Sequence, residues 1–324
     1  MDDFDWLDLP CASDLANEQE EEFEPLGMDS DVQENRRCLI ADSLYINAYR
    51  DALNGSYYSL DKLRLNMKVD PEVIDDAVTR WVKPKAIARS HVNKIGGYVE
   101  LHTCVFERSS VTVGVGHRNG SGSLNLRMGF VEFNPNKVGK EGLELIERLK
   151  TRGARFSIAR YDLAIDFPIE RSLVRLVKDR RAYETRAKKA LTEYLGVRNA
   201  VGRVKVYDKQ AESHLSEPLT RVELTCDGSW DASSVLSKLP IVVDWASADL
   251  DGLQRMTRLF AMSVQRNIEC GDTLEDWLVR CDYRSRKAIR DAFKRGKTLN
   301  YSLDCINGVL GDALSFCNGK KPGI

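Results

Sequence analysis

The sequence predicts an α+β protein: an antiparallel-dominated mixed sheet with packed helices, followed by a helical C-terminal region. Between residues 97 and 226, short runs alternate apolar and polar residues or are rich in β-branched residues, and clusters of Gly, Asn and Ser separate them. This pattern is typical of half-buried strands joined by turns. After residue 231 the apolar spacing becomes helical. With 324 residues, the chain is long enough for one large domain or two ordinary ones.

Four regions follow from this pattern. Residues 1–35 are an acidic arm, low in apolar residues, that we expect to be disordered. The sequence of residues 36–96 predicts a mostly helical region, because RRCLIADSLYINAYRDAL and PEVIDDAVTRWV have helical spacing. The sequence of residues 97–230 predicts an α+β domain, the candidate for any chemistry, with the helix KEGLELIERLK among the strands YVELHTCVF, SVTVGVG, SLNLRMGFVEF, RFSIARYDLAIDF, RVKVYDK and LTRVELTC. Residues 231–324 predict a helical, basic region, from DGLQRMTRLFAMSV, LEDWLVRC and DYRSRKAIRDAFKRGK.

The net charge of −1 hides a strong asymmetry. Thirteen of the 49 acidic residues lie in the first 35 positions, where there is no Lys or Arg, so the remaining chain carries 48 bases against 36 acids. A body that basic indicates a polyanionic partner. The arm is either a solubilising tail or a segment that competes with DNA for the basic surface.

Several classes of protein are disfavoured. The chain has no apolar run of 18 residues, and its first ten residues, MDDFDWLDLP, are acidic where a signal peptide is basic and then apolar. We therefore expect the protein to stay in the cytoplasm of its host. The eight cysteines include no CxxC pair, which argues against a disulfide scaffold or a zinc ribbon. The four histidines show no spacing typical of metal ligands.

Three strands of the 97–230 region offer carboxylates. Read with a period of two, ARYDLAIDFP has one apolar face and one polar face, and the polar face carries Arg160, Asp162, Ala164 and Asp166. In PLTRVELT, Arg221 and Glu223 share the polar parity. Glu132 in FVEFNPNK follows the parity of apolar Phe130, so its place on a polar face would require a bulge near Gly129. Tyr161 and Cys226 have the parity of the core.

The strand GRVKVYDK carries one tyrosine among cations, since Arg203, Lys205, Tyr207 and Lys209 share one parity. Carboxylates on neighbouring strands would suit a hard cation such as Mg²⁺ or Mn²⁺. A phenol with a pKa of about 10 is a poor nucleophile at pH 7, but cations and a metal favour the phenolate. The pattern thus indicates metal-assisted phosphoryl transfer, with Tyr207 attacking and the cations holding the phosphate and helping to ionise the phenol.

The same spacing has a structural interpretation. Alternating Asp and Arg are common on a solvated sheet face, and a tyrosine between lysines is usually a surface residue with its ring on their aliphatic stems. Tyr194 is better explained as a strand residue before a glycine turn than as a nucleophile, and Tyr183 by packing rather than by base stacking. Spacing alone leaves the catalytic and structural interpretations open.

The segment DYRSRKAIRDAFKRGK predicts a basic helix in which Ile289 and Phe293 form an apolar contact one turn apart. A helix that binds duplex DNA has this composition, and so does a merely solvated helix.

Four segments in order, VEFNPNK, ARYDLAIDF, EYLGVRNAVGRVKVYDKQAE and LTRVEL, resemble the plasmid rolling-circle replication initiators of the staphylococcal type, a family with phage and conjugative-element relatives. The resemblance covers residues 124–226. It implies a fold similar to a rearranged rolling-circle endonuclease and an enzyme that nicks a replication origin. The tyrosine would join to the 5′ phosphate and leave a free 3′ hydroxyl. No paired-histidine motif is present, so acidic residues would supply the metal site.

Carried over residue by residue, the resemblance makes Tyr207 and Lys209 catalytic. The metal positions would be Glu132, Asp162, Asp166 and Glu223. The DNA contacts would come from Arg160, Arg203, Lys205 and Arg221 of the sheet and from Arg284, Arg286, Lys287, Arg290, Lys294 and Arg295 of the basic helix. Tyr161 departs from the family pattern, in which Leu or Ile is usual.

The implied cofactor is Mg²⁺ or Mn²⁺, and the implied partner is origin DNA, single-stranded or in a hairpin. A host helicase and a second copy of the chain are further candidate partners. Two alternatives accompany this prediction: a conjugative relaxase with the same chemistry, and a non-catalytic DNA-binding regulator of replication. The joint presence of Tyr207, Asp162 and Glu223 argues against the regulator.

Overall fold

The computed structural model describes residues 48–77, 87–91, 98–106, 109–118, 123–187, 191–244, 248, 250–269 and 278–318. The acidic arm lies outside these residues, as do most of RRCLIADSLYINAYRDAL and half of LEDWLVRC. Within the described residues the chain is α+β, with an antiparallel sheet of eleven strands, a smaller sheet of three strands, and seven α-helices. The predicted fold class is confirmed.

The large sheet has the order β3-β4-β5-β6-β2-β7-β12-β11-β10-β9, with β1 paired to β2. The small sheet has the order β14-β13-β8. The strands are β1 (Tyr49–Arg50), β2 (Tyr57–Lys68), β3 (Ile87–His91), β4 (Tyr98–Phe106), β5 (Ser109–Arg118), β6 (Leu124–Phe133), β7 (Arg155–Phe167), β8 (Val174–Leu176), β9 (Tyr183–Ala187), β10 (Leu191–Leu195), β11 (Val204–Asp208), β12 (Thr220–Asp227), β13 (Val242–Asp244) and β14 (Lys297–Thr298).

The helices are α1 (Pro71–Asp75), α2 (Gly139–Thr151), α3 (Lys209–Ser213), α4 (Ala232–Lys238), α5 (Arg255–Glu269), α6 (Tyr283–Lys294) and α7 (Leu303–Cys317), and a 3₁₀ turn spans Arg171–Leu173. Three of the later helices begin at a residue whose side chain accepts backbone N–H groups of the first turn: Asp231 for α4, Asp282 for α6 and Ser302 for α7. Such N-caps satisfy donors that the helix itself cannot. No described helix is both long and apolar enough to cross a bilayer.

The main apolar core lies between one face of the large sheet and the helices α2, α4 and α7. Strand β7 shows why: Tyr161, Leu163, Ile165 and Phe167 are each at most 1% exposed, as the period-two pattern predicts. Leu145 and Ile146 of α2 and Ile306 of α7 complete the same core. A second apolar cluster joins α5 and α6 to β13 and includes Ile289 and Phe293, the predicted apolar pair of the basic helix.

The structure differs from the sequence prediction in residues 36–96. Instead of a mostly helical region, Tyr57–Lys68 forms the long strand β2 in the middle of the sheet, and Ile87–His91 forms the edge strand β3. The C-terminal region also packs against the large sheet, because Val235 of α4 and Val309 of α7 are fully buried in the core. The large sheet therefore includes strands from before residue 97, and helices from after residue 230 cover its apolar face.

Candidate active site

The polar face of the large sheet, opposite the helices, gathers the predicted catalytic residues. Their positions follow from the register: Tyr207 of β11 lies opposite Arg221 of β12, which lies opposite Asp166 of β7. In the same way Thr225 of β12 lies opposite Asp162 of β7. Because side chains alternate across a strand, these residues all project to the same side. The predicted arrangement of β7, β11 and β12 is thus present in the fold.

Tyr207 is buried within this face and is bonded to a carboxylate. Its side chain is 5% exposed, and its hydroxyl donates to Oε2 of Glu223 at 3.4 Å. Nζ of Lys205 lies 3.7 Å from the centre of the Tyr207 ring. Burial raises the pKa of the phenol, Glu223 raises it further, and Arg221 only partly opposes the shift. The expectation that nearby cations ionise Tyr207 is therefore wrong for the protein alone.

Glu223 and Asp162 are neighbouring acids next to Tyr207. Burial raises the pKa of the Glu223 carboxyl to about 7, and the charge of Asp162 adds to that shift. Burial also raises the pKa of Asp162, against the charges of Lys62 and Arg160. Oδ1 of Asp162 is buried and has no hydrogen-bond partner in the part of the chain that the structure describes. A buried acid oxygen without a protein partner is unusual, and this oxygen can accept a bond from a ligand.

Asp166 is held by arginine. Nε and Nη2 of Arg221 donate to its two carboxylate oxygens at 2.6 and 2.7 Å, and Nη1 of Arg221 donates to Asp61 at 2.8 Å. A paired guanidinium of this kind fixes both carboxylates in a planar arrangement. Asp166 therefore serves to orient Arg221, which lies opposite Tyr207 on the neighbouring strand.

Glu132 lies on the same polar face, and a register shift next to Gly129 is present in the pairing of β6 with β5. The pairing of β6 with β2 is unbroken from Phe133 to Met128, and it sets Glu132 opposite Arg64. Nε of Arg64 donates to Glu132 at 2.7 Å, and the same guanidinium lies 4.5 Å from the centre of the Phe130 ring. Phe130 thus shares the polar face with Glu132, so the apolar parity of β6 does not exclude Glu132 from the site. Glu132 is neutralised by its arginine.

The other predicted cations make local contacts. Nζ of Lys209 is paired with Glu212 one turn along α3, and Asp208 caps that helix. Arg160 donates from Nη1 to the carbonyl of Asn199 at 3.0 Å. Arg203 lies over the ring of Tyr194, 4.6 Å from its centre. Of these residues, Arg160 lies close enough to Asp162 for its charge to oppose the rise in the pKa of that carboxyl.

The basic residues of the C-terminal helix lie on α6 and its end. Arg284, Lys287 and Arg295 are exposed, whereas Arg286 and Arg290 are half-buried. Lys294 ends the helix, and its side chain is outside the described structure. A shallow groove of about 240 Å³ is lined by Tyr283, Arg286, Lys287, Arg290 and Asp291. The helix presents a basic surface while Ile289 and Phe293 anchor it in the second core.

Sequence reasoning missed the contribution of β2. Asp61 bonds Arg221, and Lys62 and Arg64 flank Asp162 and Glu132. Asp61 is the extra residue of an irregularity between Leu60 and Lys62 in the pairing with β7. The alternation in LRLNMK, with Leu63, Leu65 and Met67 buried, is the signal that could have identified this strand.

A divalent metal fits part of this constellation. In the described ranges no group of three or more His, Cys, Asp or Glu residues is close enough to hold a metal ion. Mg²⁺, however, is often bound by one or two carboxylates together with substrate phosphates. Asp162 and Glu223 supply two carboxylates, one of them with an oxygen that lacks a protein partner. Asp166 and Glu132 already bind arginines.

Comparisons with known proteins show a distant structural similarity. No family model matches the chain, and no curated protein matches it. Among solved structures, a rolling circle replication initiator protein from Geobacillus stearothermophilus is similar over 57% of this chain and 78% of its own, with 14% identity and a TM-score of 0.34. A likeness this distant carries no argument about chemistry. What this site does must follow from its own side chains.

Proposed function

We propose that this protein is a DNA strand transferase that nicks and rejoins single-stranded DNA through Tyr207, as a rolling-circle replication initiator does. The observation that carries the proposal is the contact of the Tyr207 hydroxyl with Glu223, beside the unpartnered oxygen of Asp162, on a cation-lined sheet face. A nucleophile within reach of a base, flanked by groups that bind phosphate, is the arrangement that phosphoryl transfer needs.

In the forward step, Oη of Tyr207 attacks the phosphorus of a phosphodiester. Its proton passes to Glu223, which already accepts the hydrogen bond. The bond from phosphorus to the 3′ oxygen breaks, and that oxygen takes a proton from water to become a 3′ hydroxyl. The 5′ phosphate stays on Tyr207. The reverse attack by a 3′ hydroxyl on this phosphotyrosine rejoins the strand and releases the phenol.

The other residues of the site hold the phosphate. Arg221, fixed by Asp166 and Asp61, lies opposite Tyr207 and offers a guanidinium whose orientation is set before DNA arrives. The positive charge of Lys205 lies close to both the Tyr207 ring and the Glu223 carboxyl. Asp162 and Glu223 would hold Mg²⁺ or Mn²⁺, and the bound ion would offset the charge of the phosphate oxygens.

Tyr207 is buried, and a phosphodiester must reach it. An extruded or single-stranded segment can enter a sheet face more easily than a duplex can, so the nick site is expected to be unpaired. The basic helix α6 is the candidate for binding the flanking duplex at an origin. A host helicase would act after the nick, since the displaced strand must be unwound. A second copy of the chain would be needed only if the reaction requires two strand-transfer steps.

Metal binding is expected to tighten as pH rises through about 7. The Glu223 carboxyl has its pKa raised to about 7, so below that pH it is mostly protonated and a cation must displace the proton. Above about pH 8 the carboxylate is free and the affinity should level off. Calorimetric titration with Mn²⁺ in buffers of different ionisation enthalpy measures both the affinity and the protons released.

Asp162→Asn is the matched variant for this titration. It removes one carboxylate and also one charge that raises the pKa of Glu223. We expect weaker Mn²⁺ binding, with the remaining pH dependence moved to lower pH. Mn²⁺ affinity that is unchanged in Asp162→Asn, or that does not vary between pH 6 and pH 8, would contradict the assignment of the metal to this pair.

The experiment that tests the function uses a pool of single-stranded oligonucleotides of random sequence. The protein is incubated with the pool and Mg²⁺ or Mn²⁺, and covalent complexes are recovered under denaturing conditions. The proposal expects a metal-dependent covalent complex that EDTA prevents, with DNA joined through its 5′ end. If the protein retains DNA but gives no covalent complex with any metal, the regulator becomes the better explanation.

A further inference from the structure

Beside the acid pair, two arginines lie over the ring of one tyrosine on the same sheet face, and a third lies close enough for its charge to act on them. Tyr194 of β10 lies opposite Lys205 of β11, so its ring projects to the side that carries Tyr207. The guanidinium carbons of Arg203 and Arg186 lie 4.6 and 5.3 Å from the centre of the Tyr194 ring. Arg198 belongs to the turn that follows β10. Tyr194 therefore orients guanidinium groups and is not placed to attack a phosphate.

The cluster is rich in positive charge. Its acid is Glu184, which accepts from Nε of Arg186 at 2.6 Å and lies opposite Tyr194. Burial lowers the pKa of the Arg203 guanidinium, and the charges of Arg186 and Arg198 lower it further. Three guanidinium groups thus crowd around one carboxylate. Such crowding is unfavourable in the isolated protein and is relieved when an anion binds.

Arg203 also has a hydrogen-bond donor that the fold leaves unused. Its Nε is buried and has no partner among the described residues. A buried donor without a partner costs free energy, and a bound anion would remove that cost. A guanidinium can present two parallel donors to a phosphate, and the positive charge of the cluster suits the charged backbone of DNA.

The position of the cluster relative to Tyr207 determines which phosphate it can reach. Arg203 precedes β11, and its carbonyl accepts from the backbone of Thr225, so the ladder with β12 extends to it. It lies four residues before Tyr207, which corresponds to about 13 Å along a strand. That separation is too long for one phosphate to touch both residues and short enough for one DNA strand to do so.

We propose that Arg186, Arg198 and Arg203 form a subsite for a backbone phosphate of single-stranded DNA, a few nucleotides from the phosphate that Tyr207 attacks. This inference rests on the proposed function, since it assigns the path of the same strand. A charged groove that follows the backbone is the usual means by which proteins hold single strands without reading their sequence.

The test compares Arg203→Ala and Arg198→Ala with the wild-type protein. Fluorescence anisotropy with a labelled single-stranded oligonucleotide of random sequence gives the affinity at several salt concentrations. Each phosphate contact contributes about 0.7 to the slope of log affinity against log salt for single strands. We expect each variant to bind more weakly and the slope to shrink by about that amount. Arg198 is exposed in a turn, so its variant is suitable even if Arg203→Ala loses stability.

Arg127→Ala is the matched control. Arg127 belongs to β6, has the parity opposite to Glu132, and is paired with Asp70 in a solvent-exposed bridge. Removing it takes away one positive charge from the same sheet without touching the polar face, and it should leave the slope unchanged. Equal losses in Arg127→Ala and Arg198→Ala would show a general charge effect and would overturn the subsite.

Covalent attachment is measured on the same DNA, which separates the subsite from the transferase. If the wild-type protein forms the covalent complex and the arginine variants keep its slope, the subsite is wrong and the transferase stands. If the arginine variants lose slope but no protein forms a covalent complex, the subsite stands and the transferase is wrong. If the wild-type protein does not bind single-stranded DNA, both are wrong.

Discussion

Replacing Tyr207 with phenylalanine is expected to abolish covalent attachment to DNA while single-strand binding continues. The substitution removes only the hydroxyl that donates to Glu223 and keeps the ring that contacts Lys205. Without its nucleophile, the site should lose roughly 10³-fold or more in rate, since removal of a nucleophile leaves only what positioning and charge contribute. The rate of covalent complex formation and the affinity by anisotropy measure the two effects separately.

Tyr57→Phe provides the matched control. Tyr57 lies on β2 opposite Asp166, on the same face of the sheet, and its side chain is 37% exposed. Its hydroxyl has no role in the proposed step, so the variant should form the complex at the wild-type rate. A Tyr207→Phe protein that still attaches to DNA, or a Tyr57→Phe protein that does not, would show that the nucleophile is another residue.

Replacing Arg171 with alanine is expected to lower the free energy of unfolding by about 3 to 5 kcal/mol. Nη2 of Arg171 bonds Glu193 at 2.6 Å, and the two side chains are 3% and 2% exposed. The Tyr183 hydroxyl also donates to Glu193 at 2.8 Å. Without Arg171 the Glu193 carboxylate stays buried and loses its ion-pair partner, which costs much more free energy than the loss of a solvated pair. Urea denaturation, followed by fluorescence, measures the change.

Arg258→Ala is the comparison for this stability measurement. Arg258 is paired with Asp251 at 2.5 Å, but the two side chains are 46% and 77% exposed. Loss of a solvated ion pair should cost less than about 1 kcal/mol. Similar unfolding free energies for Arg171→Ala and the wild-type protein would mean that Glu193 finds another partner or a proton when the arginine is removed.

The pair Arg171 and Glu193 explains how the outer strands of the site are held. Arg171 lies in the 3₁₀ turn before β8, and its Nη1 also donates to the carbonyl of Val174 at 2.5 Å. Glu193 is on β10 next to Tyr194. The buried pair thus connects the small sheet to the strand that carries Tyr194, and its loss should loosen the arginine subsite as well as the fold.

The strands whose residues alternate strictly were predictable from the sequence. From Tyr161 to Phe167 of β7 and from Val222 to Cys226 of β12 one face is apolar, so covering that face with helices fixes Asp162, Asp166, Arg221 and Glu223 on the other. Tyr207 follows in the same way from Val204 and Val206, which are fully buried. Where one face of a strand must be buried, the sequence specifies which side chains meet on the other.

The parts that were not predictable depend on pairing between distant segments. The run Tyr57–Lys68 alternates only in its second half, because the irregularity at Asp61 changes the parity. Its place between β6 and β7 depends on tertiary contacts with both strands. The bond from Arg221 to Asp166 and Asp61 joins three strands that are far apart in the chain. Spacing alone placed Asp162, Asp166 and Glu223 on a polar face and made Glu132 depend on a bulge, but it could not show that Asp166 and Glu132 bind arginines.

Burial also reversed one electrostatic expectation. Counting cations along β11 suggested an acidic phenol, but the loss of water around Tyr207 and the nearby Glu223 raise its pKa instead. The proton of Tyr207 must then leave during the reaction, and Glu223, which already accepts its hydrogen bond, is placed to receive it. The raised pKa values of this acid pair and of Tyr207 fit a site arranged for chemistry.

The central claim is that Tyr207 becomes bonded to DNA, and mass spectrometry of the covalent complex tests it most directly. After nuclease and trypsin digestion, cleavage at Lys205 and Lys209 releases Val206-Tyr207-Asp208-Lys209. The account predicts that this peptide carries a 5′-linked nucleotide on its tyrosine. A nucleotide on a peptide that contains Tyr194 or Tyr183, or no modified peptide from a protein that binds and cuts DNA, would contradict it.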